Sequence, residues 1–193
     1  VVQQAGKRDI SIEQMFNNEA ASVPGGCEGL LTSHDWAPPP EAEYRKGVMM
    51  GFDGRHTRGH MYRSILEGLA FTVKTHLDNM TRELETPVKK LMITGGGSNS
   101  DLLMQIFADL FGVPAYRSRM RGAAAIGCAI SAGMAVNAFD SYDQAVEKMV
   151  QAGDSFIPNA ETTRLYNRLH ESVYRQATHY LDPLLRKLSP IVD

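Results

Sequence analysis

Cysteine is scarce in this chain: Cys27 and Cys128 are the only two among 193 residues. They stand far apart among small or apolar neighbours, without the paired spacing of a zinc site or a disulfide framework. Reduced, buried packing thiols are the expectation, and no metal ligands are assigned. Long apolar runs are also missing. None approaches the roughly 18 residues a membrane span needs, and no signal peptide opens the chain, so a soluble, reducing, cytoplasmic setting is the default reading. Nor is there an excess of one charge, since Lys plus Arg number 20 against 22 Asp plus Glu. Without a basic block, a nucleic-acid partner held by phosphate electrostatics is excluded. Tryptophan occurs once, at Trp36.

What is present is an ordinary core-forming composition, 43 % apolar, at a length that suits one large domain or a domain with an appendage. The chain starts at Val1 rather than Met, and its opening reads as an entry into a short helix, which hints at a fragment. Ser11 is a plausible N-cap for a helix reaching Ala21, with Ile12, Met15 and Phe16 on one face. A short strand is expected around Gly29 to Thr32, and "APPPEAEYRKG" is a loop because proline cannot donate to a ladder. From about Thr57 to Arg82, Met61, Ile65, Leu66, Leu69, Val73, Leu77 and Met80 recur at helical steps and form the expected inner stripe. "VKKLMIT" reads as a strand covered on both faces. "SNSDLLMQIFADLFG" reads as a helix stopped by Gly112 and Pro114, with Leu102, Leu103, Ile106, Phe107 and Leu110 inward, and "VPAYRS" as a second strand. "GAAAIGCAISAGMA" is a helix of small side chains suited to close packing on a sheet or helix. The tail gives "SYDQAVEKMV" and then a helix from about Ala160 to Leu181, bent or ended by Pro183. Helices alternating with a few strands favour an α/β architecture.

The segment "KKLMITGGGSNSDLLMQIFADLFGVPAYRS" carries the chemistry. Three glycines between a strand and a helix let backbone N–H groups converge and let a ligand approach without a Cβ in the way. The first N–H groups of the helix lack partners and carry positive partial charge, which suits a phosphate. Ser98, Asn99 and Ser100 can cap the helix or bond a ligand. The pattern is neither the Walker nor the Rossmann motif, and a simple tight turn with a polar cap uses the same residues.

Taken together, "GFDGRHTRGHMYRSILEGLAFTV", "ITGGGSNSDLLMQIFADLFGVPAY" and "AAAIGCAISAGM", in this order and with these gaps, resemble the C-terminal half of FGGY-type carbohydrate kinases. The resemblance runs from about Pro24 to Tyr166. It is carried by His56, Arg58, His60, Arg63, Glu67 and Gly68 on the long helix, by the glycine turn, and by Gln105 with Ala108-Asp109. It implies an actin-like ATPase fold with a ribonuclease-H-like core, here the C-terminal lobe, a mixed sheet flanked by helices. On that basis residues 1–193 are a nucleotide-binding domain, with a helical tail from about 159 to 193. The resemblance makes Gly95, Gly96, Gly97, Ser98, Ser100 and Asp101 the nucleotide-contact candidates, Gly97 and Asp101 matching positions at which glycerol kinases touch ADP. It further implies ATP or ADP with Mg²⁺ as cofactor, a sugar or polyol as substrate, and allows a homodimer. The family's general-base Asp lies in a Gly-Asp segment well upstream, and a threonine-bearing phosphate hairpin precedes the region; neither is visible, so no catalytic residue is assigned and Asp35, Asp53 and Asp78 are not promoted. "SHDWAPPP" stands where the family often has Gly-Glu-Arg-x-Pro, and Gly122 where members frequently have Glu. The expected reaction, transfer of the ATP γ-phosphoryl group to a hydroxyl, then needs a second lobe, and the segment alone should bind nucleotide weakly without phosphorylating sugar. The rival classes are a non-kinase ATPase regulator of the same broad fold and a non-enzymatic interaction domain.

Other residues invite chemistry more weakly. His56 and His60 at i and i+4 would share a helix face, but no third metal ligand follows and a hydrogen-bonding role is expected. Trp36 is expected to cover the core under its loop rather than stack on a sugar. Arg117, Arg119 and Arg121 read as a solvated basic loop, and the methionines as packing.

Overall fold

Local signals start and stop most helices where the sequence places them. The computed structural model describes residue 6, residues 10–119 and residues 122–192. Helix α1 (Ile12–Ala21) is capped by Ser11, whose side chain accepts from the Gln14 amide. After a 3-10 turn at Cys27–Gly29, β1 (Leu31–Ser33) pairs antiparallel with β2 (Val48–Met50) across the proline loop, itself turned by Pro40–Ala42. Helix α2 (Arg58–Leu84) follows, capped by Thr57, which exchanges bonds with His60. Then come β3 (Leu91–Ile93), a 3-10 turn (Gly96–Asn99), α3 (Asp101–Phe111) and β4 (Ala115–Ser118). Gly112 ends α3 in the left-handed region at φ 64°. Helices α4 (Ala123–Ala135) and α5 (Tyr142–Met149) lead into β5 (Ala152–Phe156). Helix α6 (Ala160–Leu169), a π-helical turn (His170–Tyr174) and α7 (Arg175–Val192) complete the described chain.

Strands β3 and β4 are parallel, the crossover being the glycine turn with α3, and β5 joins β4 antiparallel in the order β3-β4-β5. One face of this sheet packs on α3, and α2 and α6 close over α3: Leu66, Ala70, Phe71, Leu103, Ile106, Phe107, Leu110 and Tyr166 form one buried cluster, with Leu91 and Ile93 against it.

Several expectations are corrected. The stripe assigned to α2 does not all face inward: Met61, Leu69, Val73 and Met80 are exposed, and the buried face is instead Gly59, His60, Arg63, Ser64, Leu66, Glu67, Gly68, Ala70 and Phe71. Periodicity misreads this helix because its buried polar groups are bonded to one another and to distant segments, which removes the penalty for burying them. Strand β3 is not covered on both faces; it lies at a sheet edge and Met92 is exposed. The small-residue helix α4 does not seat on the sheet. Ile130 is its one buried residue among those described, so Cys128 is exposed while Cys27 is buried. Pro183 neither ends nor delimits the tail helix, since α7 runs through both Pro183 and Pro190. Strands β2 and β5 carry too little apolar alternation to be read in advance.

Candidate functional site

The glycine turn takes its shape from one residue that needs to be glycine. Gly95 sits at φ 88° and ψ −175°, a conformation closed to side-chain-bearing residues. Its carbonyl then accepts from both the amide and the hydroxyl of Ser98, at 3.2 and 2.7 Å. The carbonyl of Gly97 accepts from the Ser100 amide at 3.1 Å. Ser100 caps α3 by accepting from Leu103 N, and its hydroxyl donates to Asn17 Oδ1 at 2.6 Å, which ties the turn to α1.

Five of the six candidate residues therefore lie on one turn and its caps, with Asp101 opening α3 directly after, but they present different faces. Gly95, Gly96 and Gly97 are exposed, whereas Ser98 and Ser100 are buried and occupied in holding the turn. A Cβ on Gly95 or Gly96 would meet nothing, while one on Gly97 would press on Leu103 Cδ2 at 3.2 Å. The amides of Gly96 and Gly97 have no hydrogen-bond partner among the described residues. They are available donors at a surface with room in front of it.

Asp101 projects its carboxylate outward from the first turn of α3, bonded to the Arg117 guanidinium. Arg117 also donates to the Ser98 carbonyl at 2.5 Å and to Asp154 at 2.8 Å. So Arg117 is a strut between β4, β5 and the glycine turn, not a solvated loop cation. Its single positive charge is shared by Asp101 and Asp154 and offsets their negative charge only in part at this helix end. Arg121 lies outside the described residues. Beside the turn, α1 and the start of α3 enclose a cleft of about 400 Å³ lined by Gln14, Asn17, Asn99, Ser100 and Asp101, among others.

The other singled-out residues have structural partners. His56 precedes the N-cap of α2, so it does not share a helix face with His60; it accepts from the Asp53 amide at 2.9 Å. His60 bonds Thr57 and lies 3.1 Å from Glu28 Oε2. Trp36 does not cover the core: it is 59 % exposed and stacks on His34 with ring centroids 4.4 Å apart. Arg63 and Glu67 are fully committed inside the core. The Glu67 carboxylate accepts from Arg63 Nε at 2.7 Å, Tyr166 Oη at 2.8 Å and the Gly26 amide at 3.1 Å. Burial, with the Glu67 charge next, pushes the neighbouring Cys27 thiol far above its ordinary range and keeps it unreactive. Tyr166 of this network was not legible as a partner, since it lies 99 residues from Glu67 in sequence.

The architecture defines an α/β domain in which a parallel strand runs through an open glycine turn into a capped helix. The model of the FGGY family of carbohydrate kinases, C-terminal domain, matches residues 3–136. The chain is 41 % identical over 187 residues to the uncharacterized sugar kinase YgcE of Escherichia coli K12, covering 97 % of this chain and 38 % of that protein. Among solved structures, ligand-bound xylulose kinase from Lactobacillus acidophilus superposes with a TM-score of 0.80 at 22 % identity, over 94 % of this chain and 37 % of that one. Plasmodium falciparum glycerol kinase with ADP superposes with a TM-score of 0.69 at 19 % identity, over 91 % of this chain and 36 % of that one. The chain belongs to the FGGY family of carbohydrate kinases and carries its C-terminal domain. It spans a little over a third of the length of these relatives. Among the described residues no helix is long and apolar enough to cross a membrane.

Proposed function

We propose that the glycine turn Gly95–Gly97, with the start of α3, seats the phosphates of ATP or ADP in a carbohydrate kinase that transfers the γ-phosphoryl group to a sugar or polyol hydroxyl. The observation that carries this reading is that the amides of the exposed residues Gly96 and Gly97 have no hydrogen-bond partner among the described residues, in a turn where a Cβ at position 96 would stand in open space. Unpartnered amides converging on a glycine turn just ahead of a helix suit an anion. The adjoining polar cleft, with Gln14 and Asn17 on its wall, offers donors and acceptors to the nucleoside part.

These residues fit a nucleotide in two respects: a cradle free of side chains, and amide donors without partners among the described residues. When bound, Mg²⁺ with the nucleotide supplies charge neutralisation for phosphoryl transfer. The role of this chain is positioning. Ser98 and Ser100 hold the turn's shape, Arg117 fixes its height against the sheet, and the two glycine amides donate. The base that takes the hydroxyl proton belongs, in this proposal, to the part of its relatives' length that the chain does not span. The chain by itself then binds nucleotide weakly and phosphorylates nothing.

The test is calorimetric titration with ADP. Gly96→Val should leave the melting temperature of the free chain within about 2 °C, since the side chain enters open space, and should reduce ADP affinity by about tenfold or more. Equal affinities in the two proteins would remove the seat from this turn. Real sugar phosphorylation by the isolated chain, in a coupled assay, would overturn the assignment of the base elsewhere.

A further inference from the structure

The imidazole of His170 is wholly buried in the π-helical turn, lying parallel to Phe71 at 5.9 Å between ring centroids. Its two nitrogens meet different surroundings. Nε2 lies 2.9 Å from Thr75 Oγ1 on α2. The single hydrogen of that hydroxyl is donated to the Phe71 carbonyl at 3.0 Å. Thr75 therefore accepts from the ring, and Nε2 carries the ring proton. In the neutral ring Nδ1 is then a bare lone pair, buried and without a hydrogen-bond partner.

What faces Nδ1 is two carboxylate oxygens: Glu171 Oε1 at 3.3 Å and Asp78 Oδ2 at 3.8 Å. All three atoms lie within 4.8 Å of one another. Three electron-pair donors thus converge with no hydrogen to share among them. The other oxygen of each carboxylate is already taken. Lys74 donates to Asp78 Oδ1 at 3.1 Å and Arg175 to Glu171 Oε2 at 3.0 Å. The two cations hold the carboxylates so that their second oxygens turn towards the ring, the arrangement of groups that orient metal ligands from outside.

We propose that Asp78, His170 and Glu171 form a site for a first-row divalent transition ion of the zinc or cobalt class. One imidazole nitrogen with two carboxylate oxygens is a donor set those ions accept, whereas Mg²⁺ prefers oxygen alone in an octahedral shell. Tetrahedral bonds of about 2.0–2.1 Å put donors roughly 3.3 Å apart, which the His170–Glu171 pair already satisfies. Asp78 must close in, and it is free to do so: the two carboxylates are 30 % and 57 % exposed, while the ring is fixed by burial. Asp78 also lines a surface cleft with Thr81, Arg82, Glu85 and Arg175, which brings solvent to the carboxylate side of the site. An ion here ties the outer half of α2 to the α6–α7 junction at the one π-wound turn among the described residues, and such turns recur at functional sites.

The test strips the 193-residue chain with a chelator and titrates it with Co²⁺, then Zn²⁺, then Mg²⁺. The expected results are a visible Co²⁺ absorption of a low-coordinate site at one equivalent, its displacement by Zn²⁺, a higher melting temperature with Zn²⁺, and no response to Mg²⁺. Asp78→Asn and Glu171→Gln, both at solvent-facing groups, should each weaken Zn²⁺ binding by about tenfold or more. Where a variant shifts the melting temperature without metal, the Co²⁺ spectrum still reads the ligand set directly. No Co²⁺ absorption would overturn the site, leaving a proton on Nδ1 as the only filler. An affinity unchanged in the double variant would do the same, by placing the ion on other histidines.

Discussion

Two helices of this chain, α2 and α4, both read as core elements, yet the structure covers one and leaves the other bare. The first half of α2 is packed against α1, β1 and α3, and it buries Arg63 and Glu67 along with Leu66 and Phe71. Helix α4 is far more apolar in composition, built of Ala, Ile, Gly and Met, and yet almost all of it faces solvent. Burial therefore follows the presence of a partner surface, not the apolar content of the segment. Polar side chains go inside where distant groups satisfy them, and small apolar ones stay outside where little among the described residues stands opposite.

The sharpest break in the comparison is Arg63→Ala. It would leave the Glu67 carboxylate, 2 % exposed, with the Gly26 amide, the Tyr166 hydroxyl and the Cys27 thiol but no cation beside it among the described residues. Removing one member of a buried ion pair destabilises by about 3–5 kcal/mol. Urea unfolding of the variant should show that loss. A change under about 1 kcal/mol would mean that the network is not what holds α2 to α6.

Gly68→Ala comes next, and it asks whether close backbone approach really distinguishes α2. A Cβ there would lie 2.3 Å from the Thr32 carbonyl oxygen, 2.6 Å from Tyr174 Oη and 2.9 Å from His34 Cδ2. The carbonyl belongs to β1 and cannot move alone, so helix and strand must separate. Overpacking of this kind destabilises by about 1–3 kcal/mol, and a melting curve should show a fall of several degrees. An unchanged melting temperature would show that the α2–β1 contact is soft.

How much of this was legible beforehand follows from the same contrast. Ser11, Ser100 and Gly112 mark helix ends because capping is decided within a few residues, and the sequence shows those residues directly. The glycine turn was legible for the same reason: position 95 needs a left-handed φ, and the strand and helix flank it immediately. The inward face of α2 was not, because Glu67 is buried by Tyr166 and Gly26, and Ser64 by Thr32, all remote in sequence. Trp36 was misread because His34, two residues away, occupies the place against Gly68 and Trp36 stacks on its outer side. The convergence of Asp78 with His170 and Glu171 has no spacing signature at all.

His34 gives a subtler probe of the covered side. It lies against Gly68, and its Nε2 is buried without a partner. Burial lowers its pKa below the ordinary histidine value, partly opposed by the Ile65 backbone and Asp35. The unfolded ring takes up a proton near pH 6.5 and the folded ring only below that. Between those values the unfolded state binds more protons, so stability is full above about pH 6.5 and falls as pH drops through this window. Comparing unfolding free energies at about pH 7.5 and pH 5 should show a larger loss in the native chain than in His34→Gln. Identical losses would assign the acid sensitivity to other groups.

The smallest effect has the opposite sign and closes the comparison on α4. Gly127 sits mid-helix and exposed, and an added Cβ would touch nothing within 4 Å among the described residues. Ala lowers the conformational freedom of the unfolded chain without entering any packed surface, so Gly127→Ala should stabilise by about 0.5–1 kcal/mol. The same substitution, glycine to alanine within a helix, thus destabilises at position 68 and stabilises at position 127. Denaturant midpoints of the two single variants and the double variant decide the point. Their effects should add within about 0.5 kcal/mol if the helices are independent. Destabilisation at 127 in this chain would mean that α4 lies against something when the chain is free in solution, and its bare face would then have to be reassigned as covered.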